Sequence, residues 1–200
     1  LEDVISSKEI NTIFISSRHN SHFSLLSRSL AQQKNIYMDK PLCLKRKELE
    51  ILEEAFSSYT GHFLLGYNRR FAPISLVVKE KLQNFSKGSN ISIQYRINTG
   101  KLPANHWILD DDVGGGRIVS EVCHFIDLCL FFTNSYVKNV FAVQNTHIGK
   151  PNDLDTLSIH LTMENRSVIT IQYRCNDNKE VDKEYLEIFS GDNILYFENF

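Results

Sequence analysis

Residues 13–41, IFISSRHNSHFSLLSRSLAQQKNIYMDKP, decide the fold. The apolar run Ile13 to Ile15 ends in Ser16-Ser17, and Phe23, Leu26 and Leu30 then recur at helical spacing. A second short apolar run, Ile36-Tyr37-Met38, closes on Asp39-Lys40-Pro41. This reads as strand, helix, strand. Further along, Leu49, Leu52 and Phe56 mark another amphipathic helix, and Phe63-Leu64-Leu65-Gly66 is a third short strand. Short strands separated by helices of about 12 to 15 residues predict parallel β-α-β units and half of a doubly wound sheet. Such sheets bind ligands at the carboxyl ends of their strands, here Ser16 to Asn20, Asp39 to Pro41 and Tyr67 to Arg70.

Beyond Pro73 the pattern changes. A helix over Ile74 to Leu82 leads to alternating Ile91, Ile93 and Tyr95, then to a loop rich in Gly, Pro and Asn. One continuous helix is predicted from Ile118 to Phe132. Strands follow at Val140 to Val143, Leu157 to Leu161, Val168 to Tyr173, Tyr185 to Phe189 and Ile194 to Phe197, with turns at Glu164-Asn165 and Gly191-Asp192. The expected fold is α/β, a partial parallel sheet followed by an α+β domain with an open, largely antiparallel sheet. The boundary falls near residues 70 to 75, giving domains of 1–72 and 73–200.

The 200 residues are 42% hydrophobic and 23% charged, enough to bury a core. A net charge of -2, with acidic and basic residues well mixed, gives no field for nucleic acid, so the expected partner is a small molecule or a protein. There is no signal peptide and no apolar run of about 18 residues, so no membrane partner is expected. Cys43, Cys123, Cys129 and Cys175 lack C-x-x-C spacing, which fits a soluble, reducing, cytoplasmic setting. Cys123-His124 with Cys129 does not supply a convincing three-ligand metal set, and no metal is expected.

Several clusters can carry chemistry. Proline restricts the residue before it, so Asp39-Lys40-Pro41 at a strand end forms a tight, cis-capable turn that aims the lysine. A lysine there can donate to a hydroxyl and stabilise negative charge, or simply lie solvated. Gly114-Gly115-Gly116-Arg117 permits close backbone approach at a helix start. Along that helix Ile118, Val122, Phe125, Cys129 and Phe132 form an apolar stripe, with Arg117, Ser120, Glu121, His124 and Asp127 on a different, polar one. His124 can shuttle a proton with Asp127 one turn away, or serve as a hydrogen-bonded interface histidine. Asp110 to Asp112 read as a solvated loop. Arg69-Arg70 can clamp an anionic oxygen or close salt bridges. Asn98, His106 and Trp107 can line a sugar pocket, though Trp107 equally suits a core anchor.

A dinucleotide-binding domain should open with a G-x-G-x-x-G turn, and no such motif occurs here. The start at Leu1 without Met and the end at Phe200 after an apolar strand read as cuts within a larger protein.

Taken in order, Ile15-Ser16-Ser17-Arg18-His19-Asn20-Ser21-His22, Asp39-Lys40-Pro41, Gly66-Tyr67-Asn68-Arg69-Arg70-Phe71-Ala72-Pro73 and Gly114 to Asp127 resemble the Gfo/Idh/MocA oxidoreductases, closest in look to members linked with polysaccharide biosynthesis. The resemblance implies an N-terminal Rossmann domain, a C-terminal domain on an open sheet, and hydride transfer between NAD or NADP and a sugar or nucleotide-sugar. It implies that Ser17, His19, His22, Asp39, Lys40 and Pro41 line the cofactor cleft, and that Lys40 and His124 are catalytic. Arg69, Asn98, His106, Trp107, Arg117, Glu121 and Asp127 are the expected substrate-side residues. Two positions depart from the family pattern: Asp39 replaces the usual Glu, and Ser120 replaces an aspartate four residues before the histidine.

Without the glycine turn, the isolated chain is expected to bind cofactor weakly and to turn over little. A second reading is a non-catalytic sensing or regulatory module of the same fold. Homo-oligomerisation through the C-terminal sheet would require an apolar face around Ile159, Leu161, Ile169 and Ile171.

Overall fold

The computed structural model describes residues 2–86, 90–144, 156–175 and 180–199. Leu1 and Phe200, on which the expectation of cut ends rests, lie outside them. Two compact units emerge: Leu1–Tyr67 with Ala104–Cys123, and Asn68–Pro103 with His124–Phe200.

The first unit carries helix α1 (Glu2–Ser6), strand β1 (Thr12–Ile15), helix α2 (His22–Ala31), strand β2 (Asn35–Met38), helix α3 (Arg46–Ser57) and strand β3 (Phe63–Leu65). The strands pair parallel in the order β1-β2-β3, with Ile15 opposite Met38 and Met38 opposite Leu65. This is the parallel sheet that the sequence predicts. The apolar spacing explains the core, where Ile15, Leu26, Leu30, Ile36, Met38 and Leu52 are buried together. Glu48 accepts the backbone N–H groups of Leu44 and Lys45, 3.1 Å each, fixing the start of α3.

The segment Ala104–Cys123 folds with this unit through a tight loop. Asp110 holds it: the carboxylate accepts from the N–H groups of Asp112 and Val113, and the carbonyl accepts from Gly114 and Gly115. Asp110 is therefore the hub of the turn and not merely a solvated loop residue. At Gly114 a Cβ would stand 2.3 Å from the Cα of Ile108, so only glycine fits.

The helix expected over 118–132 is present, its first part wound as a π-turn over Ile118–Val122 that continues without a break into helix α5 (Cys123–Thr133). The reason is local: the ammonium of Lys40 takes the carbonyl of Ser120 at 2.7 Å, and a side chain entering the ladder disturbs regular α pairing. The polar stripe is also not displayed to solvent, since Arg117, Ser120 and Asp127 are buried.

The second unit contains helix α4 (Pro73–Ser86), strand β4 (Ser92–Asn98), α5, and strands β5 (Val137–Gln144), β6 (Leu157–Met163), β7 (Val168–Arg174), β8 (Glu184–Ser190) and β9 (Asn193–Glu198). The sheet order is β5-β6-β7-β4-β8-β9, and β4 with β7 is its parallel pair in an otherwise antiparallel array. The open, largely antiparallel sheet matches the expectation. Val78 and Leu82 of α4 and Phe125, Leu128 and Phe132 of α5 are buried, and Phe125 meets the rings of Tyr95 and Tyr173. Ile159, Leu161, Ile169 and Ile171 are also buried. The apolar face that a sheet-mediated dimerisation reading would require at those four residues is turned inward by strand alternation, and the exposed side carries Phe141, Val168, Ile194 and Tyr196. No described helix is long and apolar enough to cross a membrane.

Candidate functional site

In the first unit, the carboxyl ends of β1 and β2 gather most of the predicted cofactor-side residues. His22, at the first turn of α2, is 0% exposed. Its Nδ1 lies 2.7 Å from the carbonyl of Pro41 and its Nε2 3.0 Å from that of Ser17. The ring therefore links the loop after β1 to the turn after β2. The Lys40–Pro41 peptide in that turn is cis.

Asp39 accepts from the hydroxyl of Ser16 at 2.6 Å and from that of Tyr37 at 3.3 Å. Burial, with the neighbouring Asp39 charge, raises the pKa of Tyr37, so it remains a donor. A Cβ at Gly66 would stand 2.8 Å from the Tyr37 hydroxyl and 3.1 Å from the Asp39 carboxylate, so a larger residue there would displace these side chains. Lys40 is half-buried and donates to the Ser120 carbonyl. An ammonium has three N–H donors, and its other described neighbours make no ion pair with it, so donors remain for a hydroxyl-bearing ligand.

His19 donates from Nδ1 to the carbonyl of Gly114 at 3.0 Å, and the N–H of Asn20 donates to Val113, joining the strand end to the glycine loop. Burial lowers the pKa of His19. The Gly114 hydrogen bond opposes this, and the charges of Lys40 and His22 add to the lowering. The His19 ring meets Trp107 edge-on at 4.8 Å, the Arg18 guanidinium lies over the same indole at 5.7 Å, and His106 stacks on it at 6.0 Å. His106 also accepts from the N–H of Ile108. Ser17 shares a 2.5 Å hydrogen bond with Ser21. Arg117 pairs with Glu121 at 3.4 Å.

Arg69, Asn98, His124 and Asp127 belong to the second unit. Arg69 is ion-paired to Glu184, which also accepts from the hydroxyl of Tyr95, and its guanidinium lies over Phe125. Arg70 grips both oxygens of Asp127 at 2.6 Å. Asn98 is buried at the end of β4, with its side-chain amide 3.5 Å from the carbonyl of Val181. His124 is half-buried in the first turn of α5. The residues missed by sequence reading are Tyr37, Tyr95 and Glu184; an acidic residue opening an apolar strand pattern was the one available signal for Glu184. Among the described residues no cluster of three or more His, Cys, Asp and Glu could hold a metal ion.

Residues 76–190 match the model of the GFO/IDH/MocA C-terminal domain. The chain belongs to the Gfo/Idh/MocA family. Among Gfo/Idh/MocA relatives, it is 30% identical over 139 residues to Oxidoreductase P35 of Formosa agariphila, covering 66% of this chain and 43% of that protein. It is 22% identical to the Myo-inositol 2-dehydrogenase of Thermotoga maritima, across 98% of this chain and 59% of that one. The fold superposes on levoglucosan dehydrogenase in complex with NADH and levoglucosan, with a TM-score of 0.85 at 18% identity, covering 98% of this chain and 56% of that one. This Gfo/Idh/MocA chain thus spans about half the length of the curated relatives it matches.

Proposed function

We propose that this chain supplies the proton-handling side of an NAD- or NADP-dependent oxidoreductase acting on a sugar or nucleotide-sugar hydroxyl or ketone, in carbohydrate or polysaccharide metabolism. The observation that carries the reading is Lys40 at the carboxyl end of β2, tethered by one N–H to the Ser120 carbonyl with donors to spare. The names of the relatives, a myo-inositol dehydrogenase and a levoglucosan dehydrogenase bound to NADH, support the substrate class and the cofactor.

The donor set fits a hydroxyl-rich ligand and the ribose part of a dinucleotide: Lys40, the Ser17 hydroxyl and the His19 ring stand on adjacent strand-end loops of one unit. When bound, a nicotinamide ring takes or gives the hydride. Lys40 Nζ would donate to the reacting oxygen and stabilise its negative charge, and the family resemblance assigns an acid/base role to the imidazole of His124. Labour divides between residues 1–72 on the cofactor side and 73–200 on the substrate and assembly side. The same reading assigns self-association to the outer face of the second sheet, supported by exposed Phe141 (65%) and Tyr196 (69%), and a cytoplasmic setting, supported by four free cysteines.

In the oxidoreductase to which this chain contributes, Lys40→Ala is expected to lower NAD(P)-linked turnover of a panel of hexoses and inositols by about 10²- to 10⁴-fold. The same substitution decides the second reading, a sensing module, which is favoured by Ser120 standing where the family pattern has an aspartate. Biological function undiminished by Lys40→Ala would select the sensor. The 200 residues alone should bind NADH weakly or not at all, and a titration showing micromolar affinity would refute that.

A further inference from the structure

We propose that His22 is a positioning residue for Lys40, acting as a buried bridge that fixes the Lys40–Pro41 turn against the end of β1. The inference rests on the reading of Lys40 as a proton-handling group. His22 has no exposed surface, so it touches no ligand directly. Both ring nitrogens face backbone carbonyls, acceptors with no hydrogen to give, one in each of the two loops that flank the proposed site.

Lys40 immediately precedes Pro41, whose carbonyl His22 holds at 2.7 Å. The backbone that launches the lysine is therefore anchored on one side by the imidazole, while the far end of its side chain is anchored by Ser120. Two anchors define both the origin and the tip of a four-carbon side chain that is otherwise rich in rotamers. Removing the imidazole takes away the donor held between the Pro41 and Ser17 carbonyls, and the turn must shift or admit water to replace it. A shift of the order of 1 Å at the reacting group costs about 100-fold in rate.

The test measures Lys40 itself. Acetylation of each lysine of the full chain by an N-hydroxysuccinimidyl acetate is followed by peptide mass spectrometry in wild type, His22→Phe and His22→Asn. His22→Phe fills the space without a donor, and His22→Asn keeps one amide donor near Nδ1. The expected result is a several-fold faster rate at Lys40 in His22→Phe, with exposed Lys45 unchanged and His22→Asn restoring a rate near wild type. Turnover should fall about 10- to 100-fold in His22→Phe, be rescued in part by His22→Asn, and fall no further when His22→Phe is added to Lys40→Ala.

A Lys40 rate that is unchanged, or that rises only in step with Lys45, in both variants overturns the proposal. If instead Lys40 labelling responds as expected but Lys40→Ala retains full turnover, the positioning role stands and the catalytic reading of Lys40 falls.

Discussion

Apart from the Arg117–Glu121 pair of the first unit and the Lys79–Phe131 carbonyl contact of the second, the two units hold their polar side chains differently. In the first, functional groups are held by backbone carbonyls: Lys40 by Ser120, His19 by Gly114, His22 by Ser17 and Pro41. In the second, charge meets charge, Arg69 with Glu184 and Arg70 with Asp127. A carbonyl fixes a cation or an imidazole without neutralising it, so the group keeps its capacity for chemistry. A carboxylate buried against a guanidinium consumes both charges, and what it contributes is a unique packing arrangement. Arg69 and Asp127, expected on the substrate side, thus sit in a network that already satisfies them.

Four experiments can break or sharpen this contrast. Glu184→Ala leaves the buried Arg69 and the Tyr95 hydroxyl without their acceptor and should lower the unfolding free energy by about 3–5 kcal/mol in urea titration. A loss below 1 kcal/mol (roughly the worth of an exposed pair) would erase the contrast. Gly114→Ala drives a Cβ into the backbone of Ile108 and should cost about 1–3 kcal/mol by the same titration, with the loop of the first unit as the part that yields.

The third experiment concerns pH. Because burial lowers the pKa of His19 below the ordinary 6.5, the folded state binds fewer protons there than the unfolded state. The stability it supports is present above 6.5 and is lost as pH falls below that toward the folded value. The urea midpoint of wild type should therefore drop between pH 7 and 5 more steeply than that of His19→Gln, and parallel slopes would exclude His19 as the source. Last and smallest, Lys45→Ala, which breaks an exposed pair with Asp112, should leave the midpoint where it was.

Much of this architecture is legible from residue order. Period-two alternation through Ile91, Ile93 and Tyr95, and through Leu186 and Ile188, marks strands because one face of the sheet is buried. Asp39-Lys40-Pro41 stands out because proline closing an apolar run is a strand-end signal. The partners are another matter. Ser120 engages Lys40 through its carbonyl, which every residue type carries, so no letter in the sequence announces it. Glu184 pairs with a residue 115 positions away, and a charged residue at a strand start ordinarily reads as solvated. The union of residues 104–123 with the first unit rests on the Gly114 fit and the Asp110 turn, which are tertiary facts.

The strand order of the second sheet also sets a timetable. β4 leaves the ribosome first, yet it lies in the middle of the sheet between β7 and β8, which begin at Val168 and Glu184. Until those strands are synthesised, Ile93, Tyr95 and Ile97 have only the helices α4 and α5 to shelter them. Pairing across so long a stretch of chain is slow. The nascent polypeptide must therefore carry a sticky, unpaired central strand until β7 and β8 emerge, and premature chain termination before β8 would release a species prone to aggregate.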